Sequence, residues 1–183
     1  MAQLIIKEQG ENVILYEDGR MMIKNAILSY PHLGKKWSKT DPKTGNTPDP
    51  RYSMVGLLDK ETHQEVYDLA SKHIRAMLKE ANVTVGKKDW FIRDGDDTAK
   101  PENQDRWTVN AGEQRNVIIR DINANVMRDV KGELYVDDVM EIENMFYPGC
   151  VVDFMIRPWI QQSKEWGNKV NANLVAVKMV DDT

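Results

Sequence analysis

The sequence is poor in residues that bind metals through sulfur or imidazole. Among its 183 residues Cys150 is the single cysteine, which excludes an internal disulfide and is typical of a reducing compartment. The three histidines, His32, His63 and His73, are scattered, and together with Cys150 they offer no spacing for a zinc site. We therefore expect no structural metal and no cofactor.

Long hydrophobic runs are also missing. No apolar stretch approaches the roughly 20 residues of a membrane span, and residues 1–4 lack the basic region and apolar stretch of a targeting signal. Hydrophobic residues make up 41% and charged residues 30% of the chain, which is enough for a buried core and a charged surface. We expect a cytoplasmic protein without membrane contact, organised as one domain over residues 1–183.

Catalytic motifs are the third absence. There is no Gly-rich phosphate loop, and no Ser, His and Asp or Cys and His arrangement indicates nucleophilic catalysis. One acidic cluster could hold Mg²⁺ as a nuclease does, but it lies in a polar stretch with Lys100 and Pro101 rather than at strand ends. We expect that the protein is not an enzyme and keep a Mg²⁺-dependent nuclease as the weaker alternative. The cluster consists of Asp94, Asp96, Asp97, Glu102 and Asp105.

The charges are distributed unevenly. The net charge of −4 argues against a polyanionic partner, because nonspecific affinity for nucleic acid comes from Lys and Arg that neutralise phosphates. However, residues 32–52 carry five cations against two acids, and residues 72–93 carry six cations against two acids. The acids gather instead at 94–105 and 129–143. The two basic stretches could therefore line one groove.

Every tryptophan of the chain lies within two residues of a lysine or arginine. A flat ring stacks on any base and a neighbouring cation holds the phosphate, so such pairs bind a single strand without reading its sequence. The alternative for each ring is a place in the core, with its cationic neighbour facing water. The pairs are Trp37 with Lys36, Trp90 with Lys88, Trp107 with Arg106, Trp159 with Arg157, and Trp166 with Lys164.

The chain pattern predicts a mostly-β domain with one helix. Residues 13–16 and 21–23 flank Asp18-Gly19 as a β-hairpin, whose second arm should end at Pro31 because proline has no backbone donor. Residues 34–50 hold three prolines among lysines and predict a long, exposed, mobile basic loop. Further strands are predicted at 51–58, 107–109, 116–120, 150–157 and 170–177.

One amphipathic helix is predicted over residues 63–81, with a capping box of Thr62 and Glu65 and an end near Asn82. Its apolar stripe consists of Val66, Leu69, Ala70, Ile74, Met77, Leu78 and Ala81. No second amphipathic helix is evident. Antiparallel strands with one such helix fit an OB fold, a partly open Greek-key barrel, here with extra strands.

Two strands near the carboxyl terminus predict a binding face, because successive side chains of a strand point to opposite sides. Exposed indoles are unusual without a partner, although Trp159 could alternatively lie in the core or a dimer interface. The loop 161–168 joins the strands and carries Trp166. The core side should hold Val152, Phe154, Ile156, Val170, Ala172, Leu174 and Ala176, and the outer side Asp153, Met155, Arg157, Trp159, Lys169, Asn171 and Asn173.

Several segments in register carry a family resemblance: Ser29–Leu33, Arg51–Leu58, Asp94–Asp96, Tyr147–Val152 and Gly167–Leu174. Over roughly residues 22–180 the chain resembles the phage-encoded OB-fold single-stranded-DNA-binding proteins of replication and recombination. The resemblance implies a protein that coats and protects transient single strands and passes them to replication or recombination enzymes. Such proteins often carry an acidic carboxyl-terminal tail, and here residues 181–183 are a short acidic end.

The candidate binding residues divide by chemistry. Aromatic rings are stacking candidates, and cations are phosphate candidates whose contribution falls as salt rises. The same aromatics could instead serve a protein-interaction β-domain as hot spots, and stacking does not distinguish DNA from RNA. The methionines could pad the core or fill a homodimer interface. The stacking candidates are Trp37, Tyr52, Trp90, Trp107, Trp159 and Trp166, and the phosphate candidates are Lys35, Lys36, Arg51, Arg93, Arg115, Arg157 and Lys169.

Overall fold

The computed structural model describes residues 4–181. Residues 1–3, part of the segment expected to lack a targeting signal, lie outside this range, as do Asp182 and Thr183 of the predicted acidic end. Neither helix within the described range combines the length and the apolar character that crossing a bilayer requires.

The described chain forms ten strands, two α-helices and three short 3-10 turns. The strands are β1 Ile6–Gln9, β2 Val13–Tyr16, β3 Met21–Trp37, β4 Arg51–Asp59, β5 Ile92–Asp94, β6 Arg106–Glu113, β7 Ile118–Arg120, β8 Val126–Arg128, β9 Val151–Gln161 and β10 Lys169–Asp181. The helices are α1 Lys60–Ala81 and α2 Val139–Met145, and the 3-10 turns are Lys87–Asp89, Gly95–Asp97 and Pro101–Asn103. The predicted hairpin is confirmed as β2 and β3, and Gly19 between them has the positive φ of 92° that a tight turn requires.

Five of the strands close a barrel. β3 pairs antiparallel with β4 and with β9, β4 pairs antiparallel with β6, and β9 pairs antiparallel with β10. The ring closes where β10 meets β6 in parallel through one register pair, Asn173 with Gly112. The predicted OB fold with extra strands is therefore confirmed, and β1, β2, β5, β7 and β8 are the additions.

The barrel interior follows the predicted alternation. Val152, Phe154 and Ile156 are buried on β9. A Cβ atom on Gly56 of β4 would lie 2.9 Å from the Phe154 ring, so this close approach needs glycine. Outside the barrel, α1 buries the predicted stripe through Val66, Leu69, Ala70 and Ile74, whereas Ala81 at its end is exposed.

The prediction that the hairpin arm ends at Pro31 is wrong, because β3 continues to Trp37. Tyr30 adopts a φ of 45°, and the pairing with β4 shifts between Ser29 and His32, so an irregularity in the strand accommodates the proline. Leu33 and Gly34 are then buried, so the basic loop begins at residue 38 rather than 34. The mobility of this loop stays a prediction.

The helix prediction needs two corrections. α1 begins at Lys60 after Asp59, and the predicted capping box is absent because Glu65 Oε1 instead accepts the Asn12 amide at 2.8 Å. His63 interrupts the helical geometry with φ −123° and ψ 22°, which explains why the regular pattern starts there. The end is as predicted, since Asn82 takes the left-handed conformation with φ 56° and its N–H bonds the last turn.

Three further expectations are corrected by the structure. A second helix exists: α2 has seven residues, too few to show a periodic pattern in the sequence. Met155 was placed on the outer side of β9 but is 8% exposed. Along β10 the register against β9 shifts between Leu174 and Ala176, so Val177 rather than Ala176 is buried.

Candidate nucleic-acid interface

The outer faces of β4 and β6 form the floor of a groove of about 710 Å³, which we call the main groove. The cross-strand pairs Ser53 with Gly112 and Val55 with Asn110 lie on this floor. Asn171 on β10 continues the floor across the barrel closure. This strand face is the oligonucleotide-binding surface of OB folds.

One rim of the main groove is an aromatic pair at the end of β3. The rings of His32 and Trp37 stack with centroids 4.5 Å apart and an interplanar angle of 5°. Trp37 is 48% exposed, so part of its surface remains open to a ligand. Burial lowers the pKa of His32 from its ordinary value of 6.5, so the ring is neutral at pH 7 and packs against the indole without a charge.

The opposite rim carries Trp159 at the end of β9. Its ring is 40% exposed and borders the main groove together with Gln161. Trp159 Nε1 donates a hydrogen bond of 3.0 Å to Asn173 Oδ1 on the paired strand β10. The predicted outer position of Trp159 thus corresponds to a ring that a neighbouring side chain holds in one orientation.

The cations of the main groove resolve the conflict with the net charge. Six Lys and Arg side chains line it against one carboxylate, Asp89, in a chain whose net charge is −4. Three of the six are predicted phosphate candidates and three were not singled out for the site. The predicted three are Arg51, Arg93 and Lys169, and the others are Lys39, Lys88 and Lys100.

Tyr30 is the aromatic residue that sequence reasoning missed. It is 52% exposed and borders the main groove from the irregularity in β3. Lys100 Nζ lies 4.6 Å from the centroid of its ring, and its hydroxyl donates a 3.1 Å hydrogen bond to Glu102 Oε1. Tyr30 belongs to Ser29–Leu33, one of the segments that carry the family resemblance, and this could have marked it as a candidate. The positive φ that turns its side chain into the groove is not evident from residue type.

Three predicted stacking candidates are largely covered. Trp90 borders the main groove but is 4% exposed, and its Nε1 donates to the Val85 carbonyl at 3.2 Å. Trp107 is 9% exposed, with the Tyr67 ring stacked 3.9 Å away and Lys60 Nζ 4.6 Å from its centroid. Tyr52 is 8% exposed beneath the guanidinium of Arg128, whose Cζ lies 4.0 Å from its centroid.

The remaining predicted residues lie outside the main groove. Lys35 and Lys36 line a separate cavity between β3 and α2, on the far side of Trp37. Arg115 pairs with Glu113 at 2.5 Å. Arg157 is exposed; the hydrogen bond from Arg20 is the main cause of the lowered pKa of Asp18, and the charge of Arg157 adds to this lowering. Trp166 is 62% exposed in the loop between β9 and β10 and borders none of the described cavities.

Three of the five acids considered for Mg²⁺, Asp94, Asp96 and Glu102, make side-chain contacts within the protein. Lys60 Nζ bonds Asp94 at 2.7 Å and Asp96 at 2.8 Å, which raises the pKa of Lys60 and lowers that of Asp96. The pKa of Glu102 is lowered by hydrogen bonds from the Glu102 backbone amide and from the Tyr30 hydroxyl. Among residues 4–181, no group of three or more acidic, His or Cys side chains could hold a metal ion.

Several solved bacteriophage structures are similar to this chain. The single-stranded DNA-binding protein from bacteriophage Enc34 has a TM-score of 0.83 and 28% identity, covering 99% of this chain and 91% of that chain. The same protein in complex with ssDNA gives a TM-score of 0.84 and 28% identity, with 100% and 98% coverage. The resemblance to the phage single-stranded-DNA-binding proteins is confirmed. No protein-family model and no curated protein matches the chain.

A more distant structure supports the fold alone. The single-stranded DNA binding protein gp2.5 encoded by bacteriophage T7 has a TM-score of 0.55 and 12% identity, covering 90% of this chain and 87% of that chain.

Three of the segments that resemble the phage single-stranded-DNA-binding proteins border the main groove here. Ser29–Leu33 supplies Tyr30 and His32, Arg51–Leu58 forms β4, and Gly167–Leu174 begins β10.

Proposed function

We propose that this chain binds single-stranded DNA in the main groove without reading its sequence. The observation that carries the proposal is the excess of six cations over one carboxylate in the groove, beside the exposed rings of Trp37 and Trp159. The complex of the similar Enc34 protein with ssDNA supports this ligand class. Like the phage proteins it resembles, the chain coats and protects single strands in the host cytoplasm and passes them to replication or recombination enzymes.

Base stacking and phosphate contacts divide the work. Trp37 is supported by His32 and Trp159 by Asn173, so both rings are ordered before a base arrives and lose little rotamer freedom on binding. Each base that stacks on such a ring contributes about 1 to 3 kcal/mol. The groove cations hold the intervening phosphates and release counterions as they do so. One OB-fold domain over residues 1–183 provides the whole interface, and no catalytic step is involved.

The test is a titration with oligo-dT of fixed length at several salt concentrations, followed by tryptophan fluorescence. We expect quenching, because Trp37 and Trp159 are exposed in the groove. If all six cations contact phosphates, the slope of log K against log salt is about −4. A duplex of the same length is the control, since it offers phosphates without open base faces. Quenching that is absent, or independent of salt, would contradict the proposal.

Two rival functions predict different results in the same assay. A protein-interaction domain gives no salt-dependent binding of homopolymers. A Mg²⁺-dependent nuclease shortens a labelled single strand when Mg²⁺ is added. An oligo-rU titration beside oligo-dT measures the preference for deoxyribose, which stacking alone does not determine.

A further inference from the structure

A second cavity of about 730 Å³ lies beside the main groove, and we call it the side cavity. Tyr67 of α1 and Trp107 of β6 line one part of it. Thr98, which follows the 3-10 turn Gly95–Asp97, and Asn103 of the 3-10 turn Pro101–Asn103 line another part. Its volume is within the range of pockets that hold small organic ligands, about 300–1,000 Å³. None of these four residues lines the main groove.

The side cavity adjoins the main groove. The cross-strand pair Val55 and Asn110 lies on the floor of both, so the same sheet surface passes from one to the other. The residues that line both are Tyr30, Val55, Lys88, Arg93, Lys100 and Asn110. A chain that follows the groove floor past Tyr30 therefore reaches the side cavity.

The charges at the side cavity suit a phosphate at its entrance. Three of its four cations, Lys88, Arg93 and Lys100, are at the junction with the main groove, and the fourth is Lys87. Its two carboxylates are Asp94 and Asp97, and Asp94 is already bonded by Lys60 at 2.7 Å, outside the set of four. The balance therefore favours an anion at the junction.

The inner lining suits a nucleobase. Tyr67 is half-buried and stacks on Trp107, so its ring offers the cavity an aromatic surface, whereas Ile92 and Trp107 are buried. Trp107 Nε1 is buried and has no hydrogen-bond partner in the described part of the chain. A base carbonyl that reached this N–H would satisfy a donor that the free protein leaves unpaired.

We propose that the side cavity binds one unstacked nucleotide of the same single strand that occupies the main groove. Its base enters the cavity, and its phosphate stays at the junction with Arg93 and Lys100. Single-strand-binding proteins commonly hold unstacked bases against aromatic surface. This inference rests on the proposed function and lengthens the footprint of that same site past Tyr30.

The test compares three lysine-to-glutamate variants across oligo-dT lengths of about 4 to 16 nucleotides, the range that one OB fold covers. Lys87 lines the side cavity alone, Lys169 lines the main groove alone, and Lys79 is exposed on α1 away from both. We expect Lys87→Glu to leave the shortest oligonucleotides unaffected and to weaken the longest about tenfold. Lys169→Glu should weaken every length, and Lys79→Glu should follow the wild type.

A second measurement uses the wild-type protein and so does not depend on the folding of a variant. The nucleotides that produce the gain in wild-type affinity between the short and the long oligonucleotides are replaced by abasic ones, which keep the phosphates. Loss of the gain supports a base in the side cavity, and retention of the gain overturns it. A Lys87→Glu penalty that is equal at all lengths, or absent at all lengths, also overturns the inference. Failure of the proposed function is distinct, since the wild type would then bind no length.

Discussion

Removing the Trp159 side chain is the most direct perturbation of the main groove. The ring is 40% exposed, and within residues 4–181 its one polar contact is the hydrogen bond to Asn173, so Trp159→Ala should leave the barrel folded. A base that stacks on this ring contributes about 1 to 3 kcal/mol. At about 1.4 kcal/mol per tenfold change, the affinity for oligo-dT should fall about 5- to 150-fold.

The assay is fluorescence anisotropy of a labelled oligo-dT, because the label reports binding independently of the tryptophans. Trp166→Ala is the matched control, since it removes another exposed indole, 62% against 40% for Trp159, that borders none of the described cavities. Trp159→Phe separates stacking from orientation: it keeps an aromatic face and loses the hydrogen bond to Asn173. We expect Trp159→Phe to bind with an affinity between those of the wild type and Trp159→Ala.

The reasoning fails if a folded Trp159→Ala protein, verified by circular dichroism and thermal unfolding, binds oligo-dT as tightly as the wild type. It fails equally if Trp166→Ala loses as much affinity as Trp159→Ala. The second result would move the stacking site from the groove rim to the tip of the loop between β9 and β10.

Three other perturbations test separate parts of the structure. Arg128→Met leaves three backbone carbonyls without their guanidinium donor, so we expect a loss of about 3 kcal/mol or more and a melting temperature lower by about 6–12 °C in calorimetry. Gly95→Ala places a Cβ 2.1 Å from the Asn103 carbonyl oxygen and should destabilise the fold, whereas Gly86→Ala meets nothing within 4 Å and should not; equal unfolding temperatures would refute this. Because the pKa of His32 is lowered from 6.5, its imidazole gains charge only below pH 6.5. We therefore expect the affinity for oligo-dT to rise as the pH falls below 6.5, and His32→Gln to flatten this rise.

Local sequence pattern was enough for the elements that obey one period. The Asp18-Gly19 hairpin, β4 and the end of α1 at Asn82 follow from turn chemistry, alternation and capping, all of which act between near neighbours. β3 was cut short at Pro31 because the sequence does not reveal that Tyr30 takes a positive φ and absorbs the disturbance. The register shift in β10 was equally hidden, because pairing with β9 determines it.

The site was harder to predict than the fold because it depends on which side of a strand another element covers. Trp107 and Trp159 carry the same local signal, an arginine within two residues. Tyr67 of α1 stacks on Trp107 and buries it, while no ring from residues 4–181 stacks on Trp159. Burial on this scale comes from residues 40 positions apart along the chain, so a motif of a tryptophan with a cation selects candidates and tertiary packing decides among them.

The closure of the barrel through the single pair of Asn173 and Gly112 bears on how the protein responds to its ligand. A DNA strand that lies over Gly112 and Asn171 bridges β6 and β10, the neighbouring barrel strands that are joined by a single register pair. If the form with β6 and β10 separated does not bind DNA, binding raises the free energy of this separation by RT ln(1 + [L]/Kd), where [L] is the concentration of free DNA. Amide exchange in β10 should therefore slow when DNA is bound, because the bound DNA would help to keep the barrel closed.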